Sequence, residues 1–172
     1  MGAKQQGADA TNGRWLAIPR TLCFITHGDD ILLLKRGEHK RVFPGAYNGV
    51  GGHLERDEDP RSGAIREMRE ETGLEVNGVR FCGVIHVDVG HTNGILVFVF
   101  TAEATSRDFT PNEEGTLNWV PRTQVHTLPL VEDLPLLIPL IFDGMLEGKP
   151  AALPFFAHTR YDADDRLVMR FA

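Results

Sequence analysis

Three glutamates, Glu67, Glu70 and Glu71, stand close together in a segment that reads as a helix. At about 100° per residue they fall within roughly a 100° arc of one face. Like charges at i,i+3 and i,i+4 weaken an isolated helix by about 0.2–0.5 kcal/mol per pair. A sequence that keeps three carboxylates on one stripe therefore points to a compensating cation. Oxygen donors without His or Cys suit Mg²⁺ or Mn²⁺ rather than zinc. The stripe belongs to a longer stretch, from Gly52 to Leu74, that reads GHLERDEDPRSGAIREMREETGL.

The elements that must position this stripe can be read on either side of it. Asp59 is a predicted N-cap with Pro60 at the first helical position. The helix should run to about Thr72, with Gly73 as a left-handed C-terminal cap. Ala64, Ile65 and Met68 form an apolar stripe beside the glutamates, so one face packs on a sheet while its neighbour faces a cleft. Upstream, residues 22–26 and 31–35 read as strand, turn and strand, followed by a polar, basic loop over 37–45. Residues 47–50 return as a short strand that delivers Gly51 and Gly52. Downstream, 79–89 and 94–102 read as two strands joined at a turn over 91–94. A short strand over 117–120 stops at Pro121. A second helix lies within 133–146, kinked or delayed by Pro139. Residues 153–161 and 166–171 look like a final hairpin around the acidic turn Asp162, Asp164, Asp165. Strands dominate with two helices, which predicts an α/β (α+β) sandwich whose helices cover a mixed sheet.

Composition sets the bounds. A chain of 172 residues with 42% hydrophobic content fits one domain, taken as residues 14–172, behind a polar disordered tail over 1–13. The net charge is −6 and no basic run appears, which disfavours bulk nucleic acid as a partner. The most apolar stretch, 128–142, is too broken to span a bilayer, and the start lacks a signal-peptide pattern. The two cysteines, Cys23 and Cys82, share no motif and read as buried reduced thiols of a cytoplasmic protein. His86, Asp88 and His91 share one region but fall short of a zinc set.

Gly52, Glu58, Arg66, Glu67, Met68, Glu70, Glu71, Gly73 and Leu74 occupy every fixed position of the pattern G-x5-E-x7-R-E-U-x-E-E-x-G-U, where U is a bulky apolar residue. The chain therefore resembles the Nudix hydrolase superfamily. The resemblance implies an α/β/α sandwich and hydrolysis of a phosphoanhydride, with Mg²⁺ or Mn²⁺ as cofactor. It implies Glu67, Glu70 and Glu71 as metal ligands, joined by a backbone carbonyl from Gly51 or Gly52. Arg66 and Glu58 would hold the carboxylates in place. A catalytically silent, nucleotide-binding Nudix module is the alternative of another class. The retention of every box glutamate argues against it.

Two features outside the box bear on substrate. The segment Tyr47-Asn48-Gly49-Val50-Gly51-Gly52 resembles that of MutT-like enzymes that cleave oxidised purine nucleoside triphosphates such as 8-oxo-dGTP and so cleanse the nucleotide pool. There an asparagine meets the purine, and Asn48 matches it; otherwise it is a turn-forming Asn-Gly. Asp133, with Glu132, resembles the acidic base-reading segment of the same group; otherwise Asp133 is a helix N-cap. Leu130 and Val131 replace the aromatic residue expected beside those acids, which leaves base stacking to Phe43 or Tyr47. Lys35, Arg36, Lys40 and Arg41 form either a solvated loop or a rim that meets substrate phosphates. Residues 76–110 contain neither the proline typical of ADP-ribose-cleaving relatives nor the tyrosine typical of those acting on dinucleoside polyphosphates. The expected partner is thus a small nucleotide, with no membrane, for a monomer or homodimer.

Overall fold

Two apolar sets alternate along the central strands and send side chains to opposite faces of one sheet. The structure, a computed structural model, describes residues 3–7, 13–111 and 113–172. Of the expected tail, residues 3–6 form a 3-10 turn, and the remainder up to residue 12, apart from Gly7, lies outside the described residues. The elements that follow are β1 (Leu16–His27), β2 (Asp30–Arg36), β3 (Tyr47–Asn48), α1 (Pro60–Thr72), β4 (Val76–Asp88), β5 (Asn93–Ala104) and β6 (Gly115–Pro121). A 3-10 helix (Arg122–Thr127), α2 (Leu134–Asp143), a small ladder of β7 (Met145–Leu146) with β8 (Lys149–Pro150), and β9 (Phe155–Tyr161) with β10 (Leu167–Phe171) complete the chain.

The main sheet runs β10-β9-β4-β5-β1-β2-β3, with β6 on the other side of β2. β1 with β5 and β4 with β9 are parallel, and the remaining pairs are antiparallel. Leu22, Phe24, Ile31 and Leu33 pack on one face against Leu134, Leu137 and Ile141 of α2. Cys23, Ile25, Leu32 and Leu34 pack on the other against Ala64 and Met68 of α1. The result is a mixed sheet between helices, the α+β sandwich read from the sequence.

β1 and β2 pair only over Ile25–Leu32, Thr26–Ile31 and His27–Asp30. Beyond that they part, and the chain from Tyr47 to Leu54 enters the gap. Thr21 N donates to Gly52 O at 2.8 Å and Cys23 N to Val50 O at 2.7 Å, while Tyr47 and Asn48 pair with Lys35 and Leu34 of β2. The gap thus keeps its backbone polar groups bonded and still delivers Gly51 and Gly52 to the carboxylates of Glu71 and Glu67 on α1. Gly51 adopts φ 138°, and a Cβ there would collide with Thr21 O, so the crossing requires glycine.

α1 forms where its local chemistry places it. Asp59 Oδ1 accepts from Arg61 N at 2.8 Å and Ser62 N at 3.1 Å, and Gly73 at φ 70° ends the helix with its N–H on Arg69 O at 2.7 Å. α2 accommodates Pro139 in its interior and ends at Gly144, φ 63°, earlier than position 146. Met145 and Leu146 pair instead with Pro150 and Lys149. β1 begins at Leu16, six residues before the predicted strand, with Pro19 in parallel register opposite Leu96. The final hairpin forms as read, its turn held by Asp162 Oδ1 accepting from Asp164 N and Arg166 N at 2.9 and 3.0 Å. Both cysteines are free and buried. No described helix is long and apolar enough to cross a membrane.

Met68 is fully buried between α1 and the sheet. Met68→Ala is expected to lower stability by about 2–5 kcal/mol, read as a drop in urea midpoint with an unchanged slope.

Candidate active site

α1 presents Arg66, Glu67, Glu70 and Glu71 along a cleft of about 740 Å³. Arg66 organises them. Its Nε donates to Glu58 Oε2 at 3.0 Å and its Nη2 to Glu58 Oε1 at 2.6 Å, a two-pronged grip. Nη1 is shared between Glu67 Oε1 and Glu70 Oε2, both at 2.9 Å, and Nη2 also reaches His53 O at 3.0 Å. The Arg66 guanidinium, followed by the Glu55 backbone N–H, holds the Glu58 carboxyl below its ordinary value. Glu58 itself stays behind the wall, outside the cleft lining.

Glu71 is held differently. Gly51 N donates to its Oε2 at 3.1 Å. Burial pushes its carboxyl up to about 7; the Gly51 N–H opposes this, and the charges of Glu67 and Glu114 add to it. At Gly52 a Cβ would sit 2.6 Å from Glu67 Oε1, so a side chain there would push the carboxylate from its place. The Gly52 carbonyl already accepts from Thr21 N, which leaves it one lone pair.

Among the described residues no three His, Cys, Asp or Glu side chains converge tightly enough to form a metal cluster. Glu67 and Glu70 are instead drawn to Arg66. The donor chemistry nevertheless fits a hard divalent cation: three carboxylates line one cleft, and Glu71 is raised by burial and by a neighbouring like charge. His86 packs edge-on to Trp15 at 4.3 Å and lies 5.4 Å from the ring of His158, in a setting of rings rather than ligands.

A second group of residues reaches the same cleft from elsewhere in the chain. Tyr47 N donates to Pro129 O at 2.8 Å and Val131 N to Tyr47 O at 3.0 Å. That bridge brings Asn48 and Asp133, distant in sequence, to one site. Asn48 Oδ1 accepts from Gly49 N at 2.9 Å, the turn role foreseen for it, while the residue also lines the cleft. Asp133 precedes α2 but makes no side-chain capping bond. Its Oδ1 is buried without a partner, and burial raises its carboxyl above the ordinary range. Glu132 is exposed, and burial, followed by the charge of Glu132, raises the Tyr161 hydroxyl above its ordinary range.

Other expectations are corrected by register. Lys35 does not line the cleft; Arg36 does, because adjacent strand residues face opposite ways. Lys40 pairs with Glu114 at 2.8 Å. Phe43 lines the cleft from a backbone at φ 48°, whereas Tyr47 packs into the α2-side core. Arg20, Thr159 and Tyr161 also line it and were not singled out in the sequence. Thr159 had a readable signal, a polar residue on the apolar face that alternates Phe155, Ala157, Thr159.

The NUDIX domain profile matches residues 17–141. The chain belongs to the Nudix family. It is similar to the oxidized purine nucleoside triphosphate hydrolase of Mus musculus, 32% identical over 150 residues that make up 86% of this chain and 89% of that protein. It is also similar to the NAD-capped RNA hydrolase NudC of Pseudomonas aeruginosa, 31% identical over 96 residues. That match takes in 56% of this chain but only 32% of the relative, so the chain spans about a third of that protein's length. The crystal structure of the MutT protein from Bacillus halodurans superposes with a TM-score of 0.72 at 21% identity, over 90% of this chain and 97% of that one, and shows the same fold. Nudix hydrolases use divalent metal ions, which agrees with the carboxylate stripe.

The raised Glu71 carboxyl sets a pH dependence with a definite sign. Without metal, the folded protein binds more protons than the unfolded chain between its ordinary 4.5 and about 7, so stability falls as pH rises through that window. Protons and a cation compete for the same oxygens, so Mn²⁺ affinity is expected to climb with pH to about 7 and then level. Calorimetric titration from about pH 5.5 to 8.5 checks this, and a flat profile removes Glu71 from the ligand set.

Proposed function

We propose that this Nudix domain hydrolyses a nucleoside triphosphate within its phosphate chain and releases a nucleoside monophosphate and pyrophosphate. The preferred substrate on this reading is an oxidised purine deoxynucleotide such as 8-oxo-dGTP. One observation carries it: the unpaired carboxylate oxygen of Asp133 and the amide of Asn48 share a cleft with Glu67, Glu70 and Glu71. A purine edge offers N–H donors to the first and both donors and acceptors to the second. The likeness to the mouse hydrolase, which extends over most of both chains, supports the same reading.

The roles follow from position. Glu67, Glu70 and Glu71 would hold Mg²⁺, with Gly51 or Gly52 offering a backbone carbonyl beside them. That ion, when bound, supplies charge neutralisation for the phosphates and acidifies a water. Arg66 keeps its grip on Glu58 and so fixes the orientation from which Glu67 and Glu70 work. Glu71 is aimed by the Gly51 N–H. Arg36 and Arg20 stand on the cleft wall as donors for phosphate oxygens. Phe43 offers an aromatic face for the base.

Hydrolysis of a panel that includes 8-oxo-dGTP, dGTP, dATP, ADP-ribose and NAD, with products identified in ¹⁸O-labelled water, tests the reading. The expected result is pyrophosphate release from a purine triphosphate. Preferred turnover of ADP-ribose or NAD over every triphosphate would overturn it. Glu71→Gln should keep the fold by circular dichroism and lower kcat on the order of 10²–10³-fold. Asp133→Asn should weaken binding of the preferred triphosphate by roughly 10–100-fold, seen mainly in KM.

A further inference from the structure

The buried polar residues of the described chain are Thr21, Thr72, Thr101 and Thr159. Three of them are bonded. Thr21 Oγ1 accepts from Gly52 N at 3.3 Å, Thr72 Oγ1 donates to Met68 O, and Thr101 Oγ1 accepts from Cys82 Sγ at 3.6 Å. Thr159 is the exception: it is 2% exposed, and its Oγ1 has no partner. The one other orphan among the described buried side-chain atoms is Asp133 Oδ1, and both residues line the active-site cleft. Buried polar side-chain atoms are rarely left unpaired, because an unmade bond forfeits the hydration it replaced.

The fold gives Thr159 no structural reason to carry a hydroxyl. It lies on β9, in register opposite Val87 of β4 and Met169 of β10. Phe155 and Ala157, the preceding residues on its face, join the α2-side core. Valine has the same shape, suits a strand equally well and would leave nothing unsatisfied. Val87, its register partner on β4, lines the cleft with it, as do the apolar Leu22 and Val97. Glu132, the other acid read from the sequence, is exposed, so water already meets its oxygens.

We infer that Thr159 is a substrate-recognition residue whose hydroxyl, together with the free carboxylate oxygen of Asp133, hydrogen-bonds the edge of a heterocyclic base laid against the apolar lining. The inference rests on the proposed function in taking a nucleotide base as the ligand. A carboxylate oxygen accepts, while a hydroxyl donates and accepts. The matching edge therefore carries an N–H for Asp133 and a carbonyl or ring nitrogen for Thr159, as an oxopurine does. Discrimination then comes from a residue in the C-terminal hairpin, outside the segments that flank the Nudix box.

Thr159→Val and Thr159→Ser test it in the full chain. Binding of GMP, 8-oxo-GMP and AMP is measured by calorimetry without metal, so that hydrolysis plays no part. Stability is measured without ligand. Thr159→Val should be at least as stable as the wild type, yet bind the preferred monophosphate roughly tenfold more weakly. Thr159→Ser should return to within about threefold of wild type. In turnover, Thr159→Val should raise KM by a larger factor than it lowers kcat. A ligand-free Thr159→Val whose Tm falls by about 2–4 °C or more shows a structural hydroxyl and overturns the inference. So does unchanged affinity in Thr159→Val, or a wild type that holds none of the monophosphates. If the wild type holds a monophosphate but hydrolyses only ADP-ribose or NAD, the triphosphate reading fails while the binding arm still decides Thr159.

Discussion

One guanidinium holds the acidic helix together. Glu58, Glu67 and Glu70 are three like charges around a single cation, and Arg66 meets all of them along with the His53 carbonyl. Its planar fork is what makes this work. A lysine would bring one point charge and could not bond Glu58 through two parallel N–H groups while sharing a third nitrogen between two further carboxylates. Glu58 and Glu67 are mostly shielded, with side chains 14% and 13% exposed, so their bonds to Arg66 are less screened than the one to the exposed Glu70. The bond to His53 O also fastens the loop before the helix to the helix itself. The rotamers of Glu67 and Glu70 thus depend on a residue that is neither a metal donor nor the chemical base of the proposed reaction.

The second constraint is the parting of β1 from β2. A sheet that closed fully there would have no room for a chain segment between its strands. Because the pairing stops at Ile25–Leu32, residues from Tyr47 onward can pass through and satisfy both flanking strands. The same passage puts glycines beside the carboxylates of α1 on one face of the sheet. It also puts Tyr47 in backbone contact with the segment leading to α2 on the other. The acidic stripe of α1 and Asp133 at the start of α2, carried on opposite faces, reach one cleft for that reason.

Much of this was legible in the sequence where the cause was local. Asp59, Pro60 and Gly73 mark the ends of α1 by their own backbone preferences, and the glutamate spacing places the stripe without knowledge of the fold. The strands around the box and the final hairpin were readable from alternation and turn residues. Position across strands was less so. Whether Lys35 or Arg36 faces the cleft depends on the register of β2. The contributions of Thr159 and Tyr161 depend on a parallel pairing between β4 and β9 that no short-range pattern announces. The early start of β1 was hidden by Pro19, a residue usually foreign to a strand interior. The ladder of β7 and β8 was hidden by apolar residues that read as a continuation of α2.

The placement of the β9–β10 hairpin has a consequence for motion. β10 lies at one edge of the sheet, paired with β9, while Tyr161 and Leu167 of this hairpin form part of the cleft wall. Arg20, Thr21 and Leu22 of β1 and Leu34 and Arg36 of β2 line the same cleft from the centre of the sheet. Local opening favours margins with few buried contacts over such a centre. The hairpin is therefore a margin where the cleft wall opens readily, and backbone amide exchange should be faster in β10 than in β1 and β5.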